Sequence, residues 1–126
     1  MANYNFEKTV LDMHSFYYTL PCQVTNTGLT ADSNGKKIIK AGTPVGGDTN
    51  ALLKRDTAVL FATNDATNGA KTQGVVIHDV DVTAGQTTAT VAFAGVIDMA
   101  KMDAGFDLDP KVTFPHDIIY MKGRGF

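Results

Sequence analysis

The chain contains no tryptophan, a single cysteine and only four prolines in 126 residues. One cysteine, Cys22, cannot close an intramolecular disulfide, which fits a reducing compartment. The expected place for such a thiol is the interior, where free cysteine behaves as a small hydrophobe. Cationic residues are sparse as well. Eleven Lys and Arg stand against thirteen Asp and Glu, for a net charge of −2. The only adjacent basic pairs are Lys36-Lys37 and Lys54-Arg55. Nucleic-acid binding draws on clustered cations that displace counterions, so no nucleic-acid partner is expected. No apolar run approaches the roughly 20 residues that span a bilayer. No basic segment followed by an apolar block opens the chain, so neither a leader nor a membrane partner is expected.

The common catalytic signatures are missing too. Gly42, Gly46 and Gly47 are not followed by the Gly-Lys-Ser/Thr of a phosphate-binding loop. There is no Gly-x-Ser-x-Gly elbow and no His-Glu-x-x-His. The sharpest cluster is His78-Asp79-Val80-Asp81, whose residue types suit metal binding or proton transfer. On a strand, however, His78 points away from Asp79 and Asp81. The expectation is a partly buried histidine and two solvent-facing aspartates. Asp103, Asp107 and Asp109 lie near Gly105 but lack calcium-loop spacing and a closing glutamate; Asp109-Pro110 reads as a turn. No catalytic residue, cofactor, metal or small-molecule substrate is therefore expected, and the chain reads as a non-enzyme.

What the chain has is β pattern. Residues 74–99 read as two strands and a short loop. Val75, Val76, Ile77, Val80 and Val82 mark the first strand, and Val91, Phe93, Val96 and Ile97 mark the second. Thr83-Ala84-Gly85-Gln86 supplies the turn, with Gly85 free to take a positive φ. In the second strand Ala89, Val91, Phe93, Gly95 and Ile97 share one face, and Thr88, Thr90, Ala92, Ala94 and Val96 share the other. Asn34-Gly35 marks another turn, leading into a short strand at residues 36–40. Gly42, Pro44 and Gly46-Gly47 bend a ribbon over on itself. Residues 58–62 form an apolar stretch, residues 63–70 a loop by composition, and residues 117–121 a last strand. Helix is limited to possible single turns at residues 50–55 and 98–105, the second ended by Gly105. The length fits one domain, mainly β, over residues 21–126.

Residues 1–20 differ from the rest. They hold Tyr4, Phe6, Phe16, Tyr17 and Tyr18, five of the eleven aromatic residues, at neither helical nor alternating spacing. Pro21 favours an extended approach at Leu20. Two readings stand: a terminal strand tied into the domain, or an arm that orders on a partner.

Three segments occur in a fixed order: Lys-Ala-Gly-Thr-Pro-Val-Gly at 40–46, Gly-Val-Val-Ile-His-Asp-Val-Asp-Val-Thr-Ala-Gly at 74–85, and Ala-Thr-Val-Ala-Phe-Ala-Gly-Val-Ile-Asp at 89–98. A variable Asn/Asp/Thr/Gly loop separates the first two. This order resembles the head decoration, or capsid cement, proteins of tailed bacteriophages, over residues 36–102, roughly half the chain. The resemblance implies a small β-clip or β-tulip domain without a catalytic site. It implies homotrimers at three-fold positions of the expanded head, clamping the major capsid protein against internal DNA pressure. The location implied is the outer capsid surface of the virion, after synthesis in the host bacterial cytoplasm.

In that family the N-terminal arm can add a strand to the capsid protein, a recognised binding mode. The resemblance thereby makes Tyr4, Phe6, Val10, Phe16, Tyr17 and Tyr18 candidate capsid-binding residues. Ala92, Ala94 and Gly95 are small enough for close subunit approach, so they are candidate oligomer contacts; packing within one subunit is the alternative. Other readings are a different virion part (a head fibre, tail component or receptor-binding adaptor), a nucleotide hydrolase on a related bent ribbon, and a carbohydrate-binding β module. The hydrolase lacks its acidic and glycine-rich motifs here, and the carbohydrate module lacks tryptophan.

Overall fold

The computed structural model describes residues 17–48, 51, 53–54, 57–99, 102, 106–115 and 118–121. Among these residues eight strands follow in order: β1 Tyr18–Val24, β2 Ile38–Ile39, β3 Pro44–Gly46, β4 Val59–Ala62, β5 Thr72–Val76, β6 Val80–Asp81, β7 Thr87–Asp98 and β8 Ile118–Met121. The protein is mainly β, as its pattern predicts. Among the described residues helix is limited to a 3-10 turn at Gly69–Lys71 and a short turn in which Met102 N–H donates to the Met99 carbonyl. Residues 50, 52, 55, 100–101 and 103–105, where parts of the two expected helical turns fall, lie outside the described residues.

Five strands close on themselves. β1 runs parallel to β4, β4 antiparallel to β3, β3 to β5, β5 to β7, and β7 returns antiparallel to β1 along seven residue pairs. Closure leaves these strands without the unpaired edges that an open sheet exposes. Each ring strand sends residues into one cluster: Cys22 and Val24 from β1, Val45 from β3, Leu60 from β4, Val76 from β5, and Ala89, Val91 and Phe93 from β7. A cluster fed from every strand of a closed ring is the ring's interior. Cys22 is 4% exposed within it, the expected place for a lone thiol.

The expected central hairpin is interrupted. Only Val75↔Ala92 and Val76↔Val91 pair β5 with β7. The chain then leaves the ring at Ile77, and Val80–Asp81 pairs with Ile38–Ile39 as a separate two-stranded sheet. Burial explains the detour. Ile39, Val80 and Val82 all join the main core cluster, which a straight hairpin would not allow. The turn at residues 83–86 remains, with Gly85 at φ +116°.

β7 is the long organising strand. Ala89, Val91, Phe93, Gly95 and Ile97 are all buried on it, and Thr88 and Thr90 are exposed. Gly95 sits at φ +138° inside the strand, a conformation glycine takes without a Cβ clash. Beyond this point β7 pairs with β8 in parallel: Gly95↔Ile118, Val96↔Ile119, Ile97↔Tyr120 and Asp98↔Met121. A second cluster forms there from Val75, Ile77, Ala92 and Ile97, covered by Phe114, Ile118 and Tyr120 among others.

Candidate interaction surface

The strongest surface feature grows from the pairing of β7 with β1 and β8. Tyr18 stands opposite Ala94, and Ile119 stands opposite Val96. Cross-strand partners project to the same side of a sheet, and positions two apart on one strand share a face. Their neighbours Gly95 and Ile97 are buried, as their partners Ile118 and Tyr120 turn into the second cluster. The alternate positions are therefore left outside. Tyr18 is 45% exposed and Ile119 56% exposed, with Ala94 and Val96 half-buried between them. Contiguous exposed apolar side chains are uncommon on a solvated surface and mark contact sites.

The residues singled out from sequence fall in different places. Tyr4, Phe6, Val10 and Phe16 lie outside the described residues. Tyr18, Thr19 and Leu20 belong to β1 and pair with Ala94, Ala92 and Val91; this end of residues 1–20 is a strand of the ring. Ala92, Ala94 and Gly95 have different surroundings. Ala92 is fully enclosed by its own chain, in the second cluster. Gly95 is buried opposite Ile118. Ala94 alone of the three is half-buried and borders exposed side chains.

Among the described residues His78, Asp79 and Asp81 do not gather as a metal-binding set. Asp79 accepts the Ala41 N–H at 2.8 Å, and Asp81 accepts the Thr83 N–H at 2.9 Å. His78 is half-buried while both aspartates are exposed. The Asp81 carboxyl titrates below its usual range, first because the Thr83 hydroxyl and then its N–H donate to it. Asp32 is lowered likewise by the Lys36 and Asn34 N–H groups; both aspartates hold turns. Lys40 approaches Asp79 at 4.0 Å with both side chains more than half exposed, a pairing of little energetic weight.

Asp107 and Asp109 serve a loop anchor. Asn64 donates from Nδ2 to the Asp107 carbonyl at 2.9 Å and accepts the Asp109 N–H at 2.7 Å. The Asp109 carboxylate accepts the Lys111 N–H at 2.8 Å, and Val112 N–H closes on the Asp109 carbonyl at 3.0 Å, as the Asp-Pro turn predicts. Among the described residues no three His, Cys, Asp or Glu side chains gather as a metal site.

A shallow cleft of about 280 Å³ lies between Gly47, Asp48, Lys71, Gln73, Thr113 and Pro115. Its polar groups are engaged with one another: Lys71 meets Asp48 at 3.0 Å, and Gln73 bridges Gly47 O and Ala51 N–H.

Sequence reasoning missed Ile119 as a surface residue. The signal was present in Asp-Ile-Ile-Tyr-Met: once one isoleucine of a period-two strand is inside, the next is outside. Which one is inside depends on β7, and that is a tertiary fact. No family model matches this chain, and no curated protein or solved structure shows significant similarity to it.

Proposed function

We propose that this protein is a non-catalytic structural component of a tailed-phage virion. In this reading it decorates the outer surface of the expanded head at three-fold positions. It does so as a homotrimer and clamps the major capsid protein against internal DNA pressure. The observation that carries the reading is the exposed apolar strip Tyr18–Ala94–Val96–Ile119. The likeness of residues 36–102 to head decoration proteins supports it from the sequence side. A cement needs neither pocket nor cofactor; modest contacts repeated around a symmetric shell sum through multivalency.

The experiment is co-sedimentation of the purified chain with expanded and unexpanded phage heads, with bound copies counted per capsid subunit. Saturation near one copy per capsid subunit, on expanded heads alone, is the expected result. A few copies per head would replace the reading with a head fibre or vertex protein. No binding to either head would refute a head role and move the search to tail components and receptor-binding adaptors.

A further inference from the structure

The chain contains two Asn-Gly pairs, Asn34-Gly35 and Asn68-Gly69. In such a pair the glycine amide nitrogen can attack the asparagine side-chain carbon, because no side chain on glycine obstructs the approach. A bond forms from the glycine nitrogen to Cγ and the Cγ–Nδ2 bond breaks. Ammonia leaves, carrying the proton that the glycine amide gives up, and a five-membered succinimide results. Water then opens one of the two ring carbonyls to give aspartate or isoaspartate. The sum is amide plus water to carboxylic acid plus ammonia, with no oxidant or cofactor.

We propose that Asn34 is a site of this spontaneous modification in the folded protein and that the fold protects Asn68. The two pairs share one feature. Each glycine N–H donates at 2.9 Å to an aspartate carbonyl, Gly35 to Asp32 and Gly69 to Asp65, so that bond does not separate them. Space and tethering do. Residues 31–36 are exposed throughout. Gly35 sits at φ +79°, and a Cβ built there meets nothing within 4 Å, so the ring and its hydrolysis products have room.

Gly69 is buried and Asn68 half-buried. A Cβ on Gly69 would lie 2.6 Å from the Lys111 carbonyl and 2.8 Å from the Val112 nitrogen. The Asn68 amide is held, Nδ2 donating to Asp65 Oδ2 at 3.3 Å and the backbone N–H to Asp65 Oδ1 at 2.6 Å. The Gly69 carbonyl accepts the Thr113 N–H at 3.2 Å. Cyclisation at Asn68 must detach that amide and turn the backbone against residues 111–113, which requires local opening. The product at residue 34 places a new carboxylate next to Asp32, whose Oδ1 holds the Asn34 and Lys36 N–H groups at 2.8 and 3.0 Å. Isoaspartate also adds a backbone methylene inside that turn.

The test is incubation of the intact chain at mildly alkaline pH, followed by peptide mapping with isoaspartate detection. A parallel sample is held in guanidinium. In guanidinium both pairs react at comparable rates. In the folded protein Asn34 reacts about tenfold or more faster than Asn68, since each tenfold corresponds to about 1.4 kcal/mol of opening free energy. The Asn34→Gln variant loses the acidic species that accumulates on isoelectric focusing. Equal rates at the two pairs in the folded protein would overturn the proposal, as would persistence of that acidic species in Asn34→Gln.

Discussion

Tyr120→Phe isolates one bond that ties the chain's last described strand to an early bend. The Tyr120 hydroxyl donates to the Gly42 carbonyl at 2.5 Å across 78 residues of sequence. Its ring lies between Phe106, stacked at 5.9 Å and 6°, and Phe114, tilted at 5.9 Å and 31°. The substitution keeps the ring and its contacts, so the loss is the hydrogen bond and the satisfaction of a carbonyl on the buried Gly42. That costs about 1 kcal/mol. With a urea m-value of roughly 1–3 kcal/mol/M, the midpoint falls by about 0.3–1 M.

The same bond gives a pH signature. Burial raises the Tyr120 phenol above its ordinary value of 10.0. A group whose pKa is raised by folding contributes stability below its unfolded pKa, and loses it as pH climbs from that value towards the folded one. Above pH 10 the unfolded wild type releases a proton that the native state retains. Its stability then falls by about 1.4 kcal/mol per pH unit relative to the Phe variant. Every other titrating group is common to both proteins and cancels in the comparison. An initial gap of about 1 kcal/mol therefore closes near pH ~10.6, and above that the Phe variant is the more stable. Urea titrations of both proteins from pH 8 to pH ~11 measure it. A gap that stays constant across this range would refute the account of Tyr120, even if the neutral-pH loss were as calculated.

Thr63 and Thr72 share a 2.6 Å hydroxyl pair at 0% and 2% exposure. Thr72→Val should cost about 1–3 kcal/mol by stranding the other hydroxyl, and adding Thr63→Val should recover part of it; a double-mutant cycle in urea with no coupling would contradict this. Gly74→Ala places a Cβ 2.6 Å from Val91 Cγ1 and 2.7 Å from the Ala92 carbonyl. This overpacking at the β5–β7 seam should cost about 1–3 kcal/mol, and an unchanged thermal midpoint would show that the strands separate freely. Ile119→Asp, at a side chain 56% exposed, should leave the isolated fold within about 0.5 kcal/mol of wild type yet weaken co-sedimentation with expanded heads. Full head binding by a folded Ile119→Asp protein would remove the apolar strip from the proposed contact.

Much of the local structure is readable from residue order alone. The β-branched run at 91–97, the apolar stretch at 58–62 and the final Ile-Ile-Tyr-Met all become strands, because alternation and branching at Cβ suit a pleated backbone whatever it pairs with. The turns at Asn34-Gly35, Gly85 and Asp109-Pro110 are equally local: a positive φ or a short side-chain acceptor acts over two or three residues. Partner choice is not local. Val75-Val76 and Val80-Asp81 read as one strand, yet they join different sheets, because the core needs Ile39, Val80 and Val82 inside. Ala92 and Ala94 read as one small-residue face, yet one is enclosed and the other borders the surface, because the register slips between Thr19↔Ala92 and Tyr18↔Ala94, a bulge that turns the two alanines to opposite sides of β7. Tyr18 at the chain's beginning and Ile119 near its end enter one strip through β7 alone. Sequence by itself determined where strands and turns form; tertiary structure decided which faces are covered, since coverage depends on partners roughly a hundred residues apart.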